Sequence, residues 1–408
     1  MNKIKIGLFG HYGNNNIGDE SIILAVFQNL KQRLPEAEII GFSLTPEDSK
    51  KRLGIDSYPI RYQSQDRKAD RSDFINSINN LLAYKMIERP IKELRFLIRV
   101  FRRLKNLDLL VVCGSNQFID TFGGLRGYPY TILKWVLLSR LRGVKVAFAS
   151  VGAGPIENPA TYRLLKPALL RADYLSYRDQ GSKEYIESHI PELDGNICPD
   201  LAHALTTTPA VVKKETDKVV VGVNPIPIFD RRYWYIGNEE KYRRYVSELT
   251  LFTKNLIDSG YRVRLFNTHP KDILVINDIV TELREMGELQ NGVPEVVQIT
   301  TVEQLLNVIA SLNVVVATRF HANVLPLRLG IPVLGICYYR KTKELLIDMG
   351  LEDFHVDVQD FTHRDLKSKM DLILKNSEEL KRKVESNFQH YKVMLDEQFD
   401  KITDLVKK

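Results

Sequence analysis

The strongest chemical signal in the chain is Thr318-Arg319-Phe320-His321-Ala322-Asn323, which follows the β-branched run Asn313-Val314-Val315-Val316. A strand ending on Arg and His two residues apart, at the start of a helix, sets a planar cation beside a titratable imidazole. Such a pair can bind an anion and pass a proton to it. A second signal is GHYGNNNIGDES, residues 10–21, between a first strand and a helix expected to begin near Asp19. Gly10, Gly13 and Gly18 free the backbone for positive φ or close approach to a ligand, and the helix start offers unpaired N–H groups. Asn15, Asn16 and Gly18 are therefore candidate substrate-binding positions. Asp19 reads either as the helix N-cap or as a carboxylate that holds a hydroxyl and takes its proton. The glycine spacing matches neither the dinucleotide fingerprint nor a Walker A loop.

Looser candidates lie at other presumed strand ends. Ser176-Tyr177-Arg178-Asp179 offers a cation for substrate or, equally, a local ion pair and helix cap. Cys198-Pro199-Asp200 delivers a carboxylate, and Tyr339-Arg340-Lys341-Thr342-Lys343 delivers cations that suit a phosphorylated ligand or merely a solvated turn. His11, His203 and His269 also fall at strand ends or loops, where each taken alone reads as a bystander. The three cysteines, Cys113, Cys198 and Cys337, are far apart with no CxxC pair. That pattern suits a reducing compartment and gives no reason to expect a disulfide framework or a metal site.

The elements that must position these residues alternate between strand and helix. IKIGLFG, EIIGFSL, LDLLVVCG, VKVAFASVG and ADYLSYR read as buried parallel strands, and the polar stretch TTTPAVVKKETDK after them reads as a boundary. VVVGVNP, YRVRLFNTH, EVVQI, NVVVATRFHA and VLPLRLGIPVLGI then repeat the plan. The expected fold is α/β, two doubly wound Rossmann-like domains facing a cleft: residues 1–210, residues 218–375, and a C-terminal helix over 376–408. Leu380, Val384, Phe388, Tyr391, Leu395, Phe399 and Ile402 give that helix one apolar face, to pack on the body of the protein or, less simply, in a dimer coiled coil.

At 408 residues with 44% apolar and 27% charged residues, the chain has the balance of a globular protein with a large core, not of a collagenous or low-complexity one. Nothing approaches the roughly eighteen uninterrupted apolar residues of a spanning helix, and the first residues read as a strand, so a cytoplasmic address is expected. Lys and Arg number 58 against 51 Asp and Glu, for a net charge of +7. Much of the excess sits in residues 85–105, KMIERPIKELRFLIRVFRRLK, with eight Lys or Arg against two Glu. Leu94, Leu97, Ile98, Phe101 and Leu104 recur at helical spacing there. The segment reads either as a core-packed helix with solvated arginines or as a helix lying on an anionic membrane, with Arg95, Arg99, Arg102 and Arg103 on phosphates. Nucleic acid is not expected, because no aromatic interleaving or binding motif accompanies the charge.

Taken in order, GNNNIGDE, VGAGPI, SYRDQGS, CPDLA, TRFHA and LGIPVLGICYYRKTKELLIDMGL resemble the polysaccharide pyruvyl transferase family across nearly the whole chain. The resemblance implies a two-domain architecture like that of the GT-B glycosyltransferases, with the acceptor side N-terminal and the donor side C-terminal. It also implies transfer of pyruvate from phosphoenolpyruvate, a co-substrate rather than a cofactor, to sugar hydroxyls as a cyclic ketal. The family's Arg-x-His motif maps onto Arg319 and His321, which would bind the donor and act in catalysis. Where the family commonly has a run of glycines, this chain has Cys113-Gly114-Ser115-Asn116, which bears on acceptor geometry.

The chemistry fits the residues. Phosphoenolpyruvate is a small trianion, so Arg319 is the first cation for it, with Arg178 and Lys343 as weaker candidates. His321 is the expected proton donor to the methylene carbon and Asp19 the expected base for the attacking hydroxyl. If the basic helix meets a membrane, the acceptor is a lipid-linked glycan and the address is peripheral on the inner membrane face. The rival in another reaction class is a GT-B glycosyltransferase using a nucleotide sugar, for which Glu344 is the nearest ribose-binding carboxylate. A sugar-binding scaffold without chemistry is the third reading.

Overall fold

Short β-branched runs bounded by glycine or polar turns form the strands, and the amphipathic stretches between them form the helices that cross from one strand to the next. The computed structural model describes residues 3–13, 15–62, 78–121, 123–210, 218–234, 237–287 and 292–407, and the side chains of 78–89 fall outside this set. By contacts the chain forms two units: Met1–Asn14, Leu30–Cys198 and Gln398–Lys408 make the first, Asn15–Asn29 and Pro199–Glu397 the second.

In the first unit the strands are β1 (Lys5–Phe9), β2 (Glu38–Ser43), β3 (Ser57–Pro59), β4 (Leu109–Cys113), β5 (Asn116–Phe118), β6 (Lys145–Ala153), β7 (Tyr174–Tyr177) and β8 (Asn196–Ile197). They run parallel in the order β3-β2-β1-β4-β6-β7-β8, with β5 against β6. β4 is buried along its whole length, which is why its sequence is a continuous apolar run rather than an alternation. Trp135 anchors the layer beside the sheet: its ring is buried, and its indole N–H donates to the Ile60 carbonyl at 2.9 Å, so no polar atom is stranded.

In the second unit β9 (Val220–Asn224), β10 (Arg262–Phe266), β11 (Glu295–Val297), β12 (Val314–Ala317), β13 (Val333–Cys337) and β14 (His355–Asp357) are parallel in the order β11-β10-β9-β12-β13-β14. The winding reverses between β9 and β12, and in sheets of this kind ligands gather at the carboxyl ends of the strands at that switch point. Every strand expected from an apolar run is present. The unexpected ones, β3, β5, β8 and β14, are two or three residues long and carry no periodicity to read.

The division of the chain differs from the expected one. Contacts break it after Cys198, whereas the sequence suggests 210–218; residues 211–217 lie outside the described set. The first helix, Ile17–Arg33, begins two residues before Asp19 and starts in the second unit. There Ile17 N donates to Thr268 O at 3.0 Å and the Asn29 amide donates to Ala204 O at 2.7 Å. The last helix, Ser377–Asp404, is not a separate piece. Its end belongs to the first unit, where Gln398 donates to Ser150 Oγ at 2.9 Å and accepts from Ser176. Leu380, Val384, Leu395, Phe399 and Ile402 are buried within this chain, so the packed-helix reading of that face holds.

The helix Ile78–Arg103 turns a different face inward than its spacing suggests. Phe96, Val100 and Leu104 enter the core and Leu97 and Phe101 are half-buried, whereas Leu94 and Ile98 face outward. Two apolar stripes share this helix, and periodicity alone does not say which one finds the sheet.

Candidate active site

β12 hands the chain to the site. Thr318 N donates to Asn224 O at 2.9 Å, and its hydroxyl shares a 2.9 Å hydrogen bond with Tyr245, so the turn is fixed on both sides. Arg319 follows, and the helix His321–Arg328 begins at once. The Asn323 amide donates back to Arg319 O at 2.7 Å and holds the corner.

The Arg319 guanidinium is already engaged within the chain. Its Nε and Nη2 donate to Asp272 Oδ1 at 3.0 and 2.5 Å, and its Nη1 donates to the Tyr233 hydroxyl at 3.3 Å. Asp272 is fully buried and is itself fixed, its Oδ2 accepting from the Thr268 and His269 amides at 3.0 and 2.9 Å. Burial disfavours the guanidinium charge, but Asp272 and Tyr233 outweigh it and raise the Arg319 pKa above its ordinary value. The arginine is thus permanently charged and held in one orientation, with part of its field neutralised.

His321 lies against the second chain segment the sequence singled out. A Cβ added to Gly18 would stand 2.2 Å from His321 Nδ1, so only glycine at position 18 lets the ring rest on the helix start. The ring's Nε2 is buried, has no hydrogen-bond partner, and lies 3.7 Å from Asp200 Oδ1. Asp200 in turn caps the short turn Leu201–Ala204, accepting from Ala202 N at 2.9 Å. Gly18, Asp200 and His321, expected from three separate motifs, therefore form one cluster.

Asp19 is buried and accepts from the Asn16 amide at 2.7 Å. It sits inside the first turn, not at the N-cap, because the helix begins at Ile17. Asn16 Oδ1 accepts from Gly18 N at 3.3 Å, while exposed Asn15 takes φ 56°, a left-handed conformation that Asn tolerates. The Asp19 charge acts on His269, whose pKa is lowered by burial first and by Arg319 next. Lys271 N donates to His269 Nδ1 at 3.1 Å, which puts the neutral ring's proton on Nε2.

Other candidates fall elsewhere. Lys343 is exposed, and its charge is felt by Cys337 and His355. Its neighbour Lys341 is the lysine that stands over the Phe320 ring, 4.8 Å from the centroid. Glu344 accepts from Arg340 Nε at 2.9 Å, one helical turn away. Arg178 belongs to the first unit, where its Nε donates to Asp179 Oδ2 at 3.2 Å and its guanidinium packs on Gly152. Asp179 also caps the helix Gln180–Glu187 by accepting from Ser182 N at 2.6 Å. In the segment that departs from the glycine run, Gly114 and Ser115 both take positive φ, 39° and 58°. Ser115 thus keeps a conformation that favours glycine.

Asp272 and Tyr233 went unnamed in the sequence, whereas His269 and His203, each read alone as a bystander, lie beside these groups. His269 follows β10, at the same edge of the sheet as Arg319, and that placement was the available signal. His203 is fully buried with neither ring nitrogen hydrogen-bonded, between Asp200, Arg328 and His321. Burial, then the charges of Arg328 and His321, lower its pKa to about 4 against the pull of Asp200.

A family model described as Polysaccharide pyruvyl transferase matches residues 16–339. The chain is 20% identical over 424 residues to the amylovoran biosynthesis protein AmsJ of Erwinia amylovora, covering 93% of this chain and 94% of that protein. Among solved structures it is similar to a putative UDP-N-acetylglucosamine 2-epimerase from Listeria monocytogenes, with TM-score 0.57, 13% identity and coverage of 94% and 91% of the two chains. It is also similar to a glycosyltransferase from Rickettsia africae, with TM-score 0.56, 12% identity and complete coverage, 100%, of both chains. At such identities the likeness shows the fold alone: two parallel-sheet α/β domains of the GT-B kind with a helical C-terminus.

Proposed function

Because the chain belongs to the polysaccharide pyruvyl transferase family, we propose that it moves pyruvate from phosphoenolpyruvate to a sugar of a cell-surface polysaccharide or its lipid-linked precursor, closing a cyclic ketal. The observation that carries this reading is the His321 ring on Gly18, its Nε2 unclaimed by any hydrogen bond, two residues from an arginine locked by Asp272. A ring nitrogen in no hydrogen bond has none to break before it meets a substrate, and a preorganised guanidinium needs no rearrangement to meet an anion.

In this mechanism Arg319 holds the donor's negative charge and protonated His321 gives its proton to the methylene carbon. C2 becomes an oxocarbenium centre, and a sugar hydroxyl attacks it as Asp19 accepts the hydroxyl proton. A neighbouring hydroxyl then displaces phosphate from C2 and closes the ring. Of the two hydroxyl protons released, one replaces that lost by His321 and the other leaves with phosphate or solvent. Asp200, 3.7 Å from the ring's Nε2, faces the imidazole, while Asn15 and Asn16 offer amides to the substrate. Lys341 takes the supporting role first given to Lys343. Arg178 remains a second, weaker candidate for donor charge on residue type and motif alone. No cofactor or metal is needed by this route.

The test is thermal unfolding with phosphoenolpyruvate, with a panel of nucleotide sugars, and with buffer. A ligand at 100 times its Kd adds about 2.7 kcal/mol to native stability. Phosphoenolpyruvate is expected to stabilise the wild type and not Arg319→Ala. Stabilisation by a nucleotide sugar alone would overturn the donor assignment in favour of glycosyl transfer.

A further inference from the structure

The helix Ile78–Arg103 carries features that the proposed reaction does not use. While Phe96 and Val100 join the core, Ile91, Leu94 and Ile98 stand 44%, 58% and 42% exposed on the opposite side. Their spacing of three and four puts them in one stripe. Beside the stripe, Lys92, Arg95, Arg99 and Arg102 line a cavity of about 520 Å³ together with Ile98 and Tyr62.

Among the described residues the three arginines of this face are not balanced by acids. Glu93, the nearby carboxylate, is bound by Lys134 at 2.6 Å, and among the described residues no carboxylate pairs with Arg95, Arg99 or Arg102. Arg103 is drawn away, its guanidinium 3.4 Å from the centre of the Tyr58 ring, so the cationic side is narrower than the sequence suggests. Like charges one turn apart, as in Arg95 and Arg99, weaken a helix unless an anion lies over them. A free anion would account for the arginines, but it gains nothing from three exposed aliphatic side chains next to them. A bilayer surface with anionic headgroups accounts for both, because phosphates and acyl chains lie side by side at its boundary.

We propose that this face docks on an anionic phospholipid bilayer: Ile91, Leu94 and Ile98 enter the acyl boundary, Arg95, Arg99 and Arg102 hold lipid phosphates, and one headgroup occupies the cavity. Among the described residues no helix is long and apolar enough to cross a membrane, so attachment through this face lies on the surface. The proposal does not depend on the donor, and its test reads no activity.

The full chain is sedimented with phosphatidylcholine vesicles, with and without phosphatidylglycerol. Binding is expected only when phosphatidylglycerol is present. The triple substitution Arg95→Ser, Arg99→Ser, Arg102→Ser should weaken it roughly a hundredfold, at about fivefold per arginine. Leu94→Ser with Ile98→Ser should weaken it about tenfold with the arginines intact. All five positions are on the surface of the helix, and unchanged thermal unfolding of both variants checks that they fold. Equal binding to both vesicle types, or indifference to the arginine substitutions, overturns the proposal. So does loss through the arginines without loss through Leu94 and Ile98, combined with stabilisation by inorganic phosphate; that result would describe a soluble-anion site instead.

Discussion

Two strand ends deliver an arginine in this chain, and they are built differently. After β7, Arg178 is followed at once by its own counter-ion, Asp179, which also caps the next helix. After β12, Arg319 takes its counter-ion from Asp272, 47 residues away, and the position two residues on is an imidazole. A carboxylate beside the arginine neutralises the strand end locally and leaves nothing to titrate near neutral pH. Importing the carboxylate from another helix keeps the guanidinium fixed while freeing the strand end for His321. The second arrangement has the parts of an acid and an anion clamp, and the first has the parts of a structural corner.

The largest expected effect breaks the comparison at the imidazole. His321→Ala should lower turnover by about two to four orders of magnitude, measured as phosphate release from phosphoenolpyruvate with an acceptor, while phosphoenolpyruvate still raises the unfolding temperature. A variant that keeps turnover within severalfold of wild type would remove His321 from the chemistry and leave Arg319 as another corner like Arg178.

The next effect addresses the counter-ions. Asp272→Ala strands a buried guanidinium and exposes two amides to the loss of their acceptor, at a cost of about 3–5 kcal/mol by urea denaturation. Asp272→Asn should recover part of it, since the amide oxygen still accepts. Asp179→Ala removes a cap worth about 1 kcal/mol and one 3.2 Å contact to Arg178, so a smaller loss is expected. Equal losses would mean that the long-range pair is no more than another local cap.

The same contrast explains what could be read in the chain beforehand. Both sheets were legible because buried parallel strands are continuous apolar runs, and Arg319, His321, Gly18 and Asp200 were legible because strand ends and glycine turns mark where ligands approach. That Gly18 and His321 touch was not, since a missing Cβ records that something comes close but not what. Asp272 and Tyr233 carry no local signature: one reads as an acid after a His-Pro-Lys turn, the other as one aromatic among many. Nor could the chain say that Ile17–Arg33 starts in the second unit, because that follows from contacts such as Ile17 to Thr268. Local chemistry is written in local sequence, whereas counter-ions and helix faces are chosen by packing.

An effect smaller than the loss of Asp272 separates the two units by acid. His203 has a folded pKa of about 4 against an ordinary 6.5, so on acidification the unfolded chain takes up the proton first. Its contribution to stability is therefore full above about pH 6.5 and falls away as the pH drops toward about 4, amounting to about 2 kcal/mol between pH 7 and pH 5. Asp179 behaves in the opposite range. Burial pushes its pKa up, but Arg178 and the Ser182 bonds outweigh that and hold it below the ordinary 3.8, so its contribution persists until the pH falls below that value. Urea denaturation from about pH 7 to about pH 5 should accordingly destabilise the second unit while the corner at Arg178 is unaffected. His203→Phe keeps the ring against Phe388 and Tyr391, removes two unpartnered nitrogens, and should flatten the profile over that window. If the slope survives in the Phe variant, the proton uptake belongs to another group of the cluster, and His321 beside Asp200 is the one to substitute next.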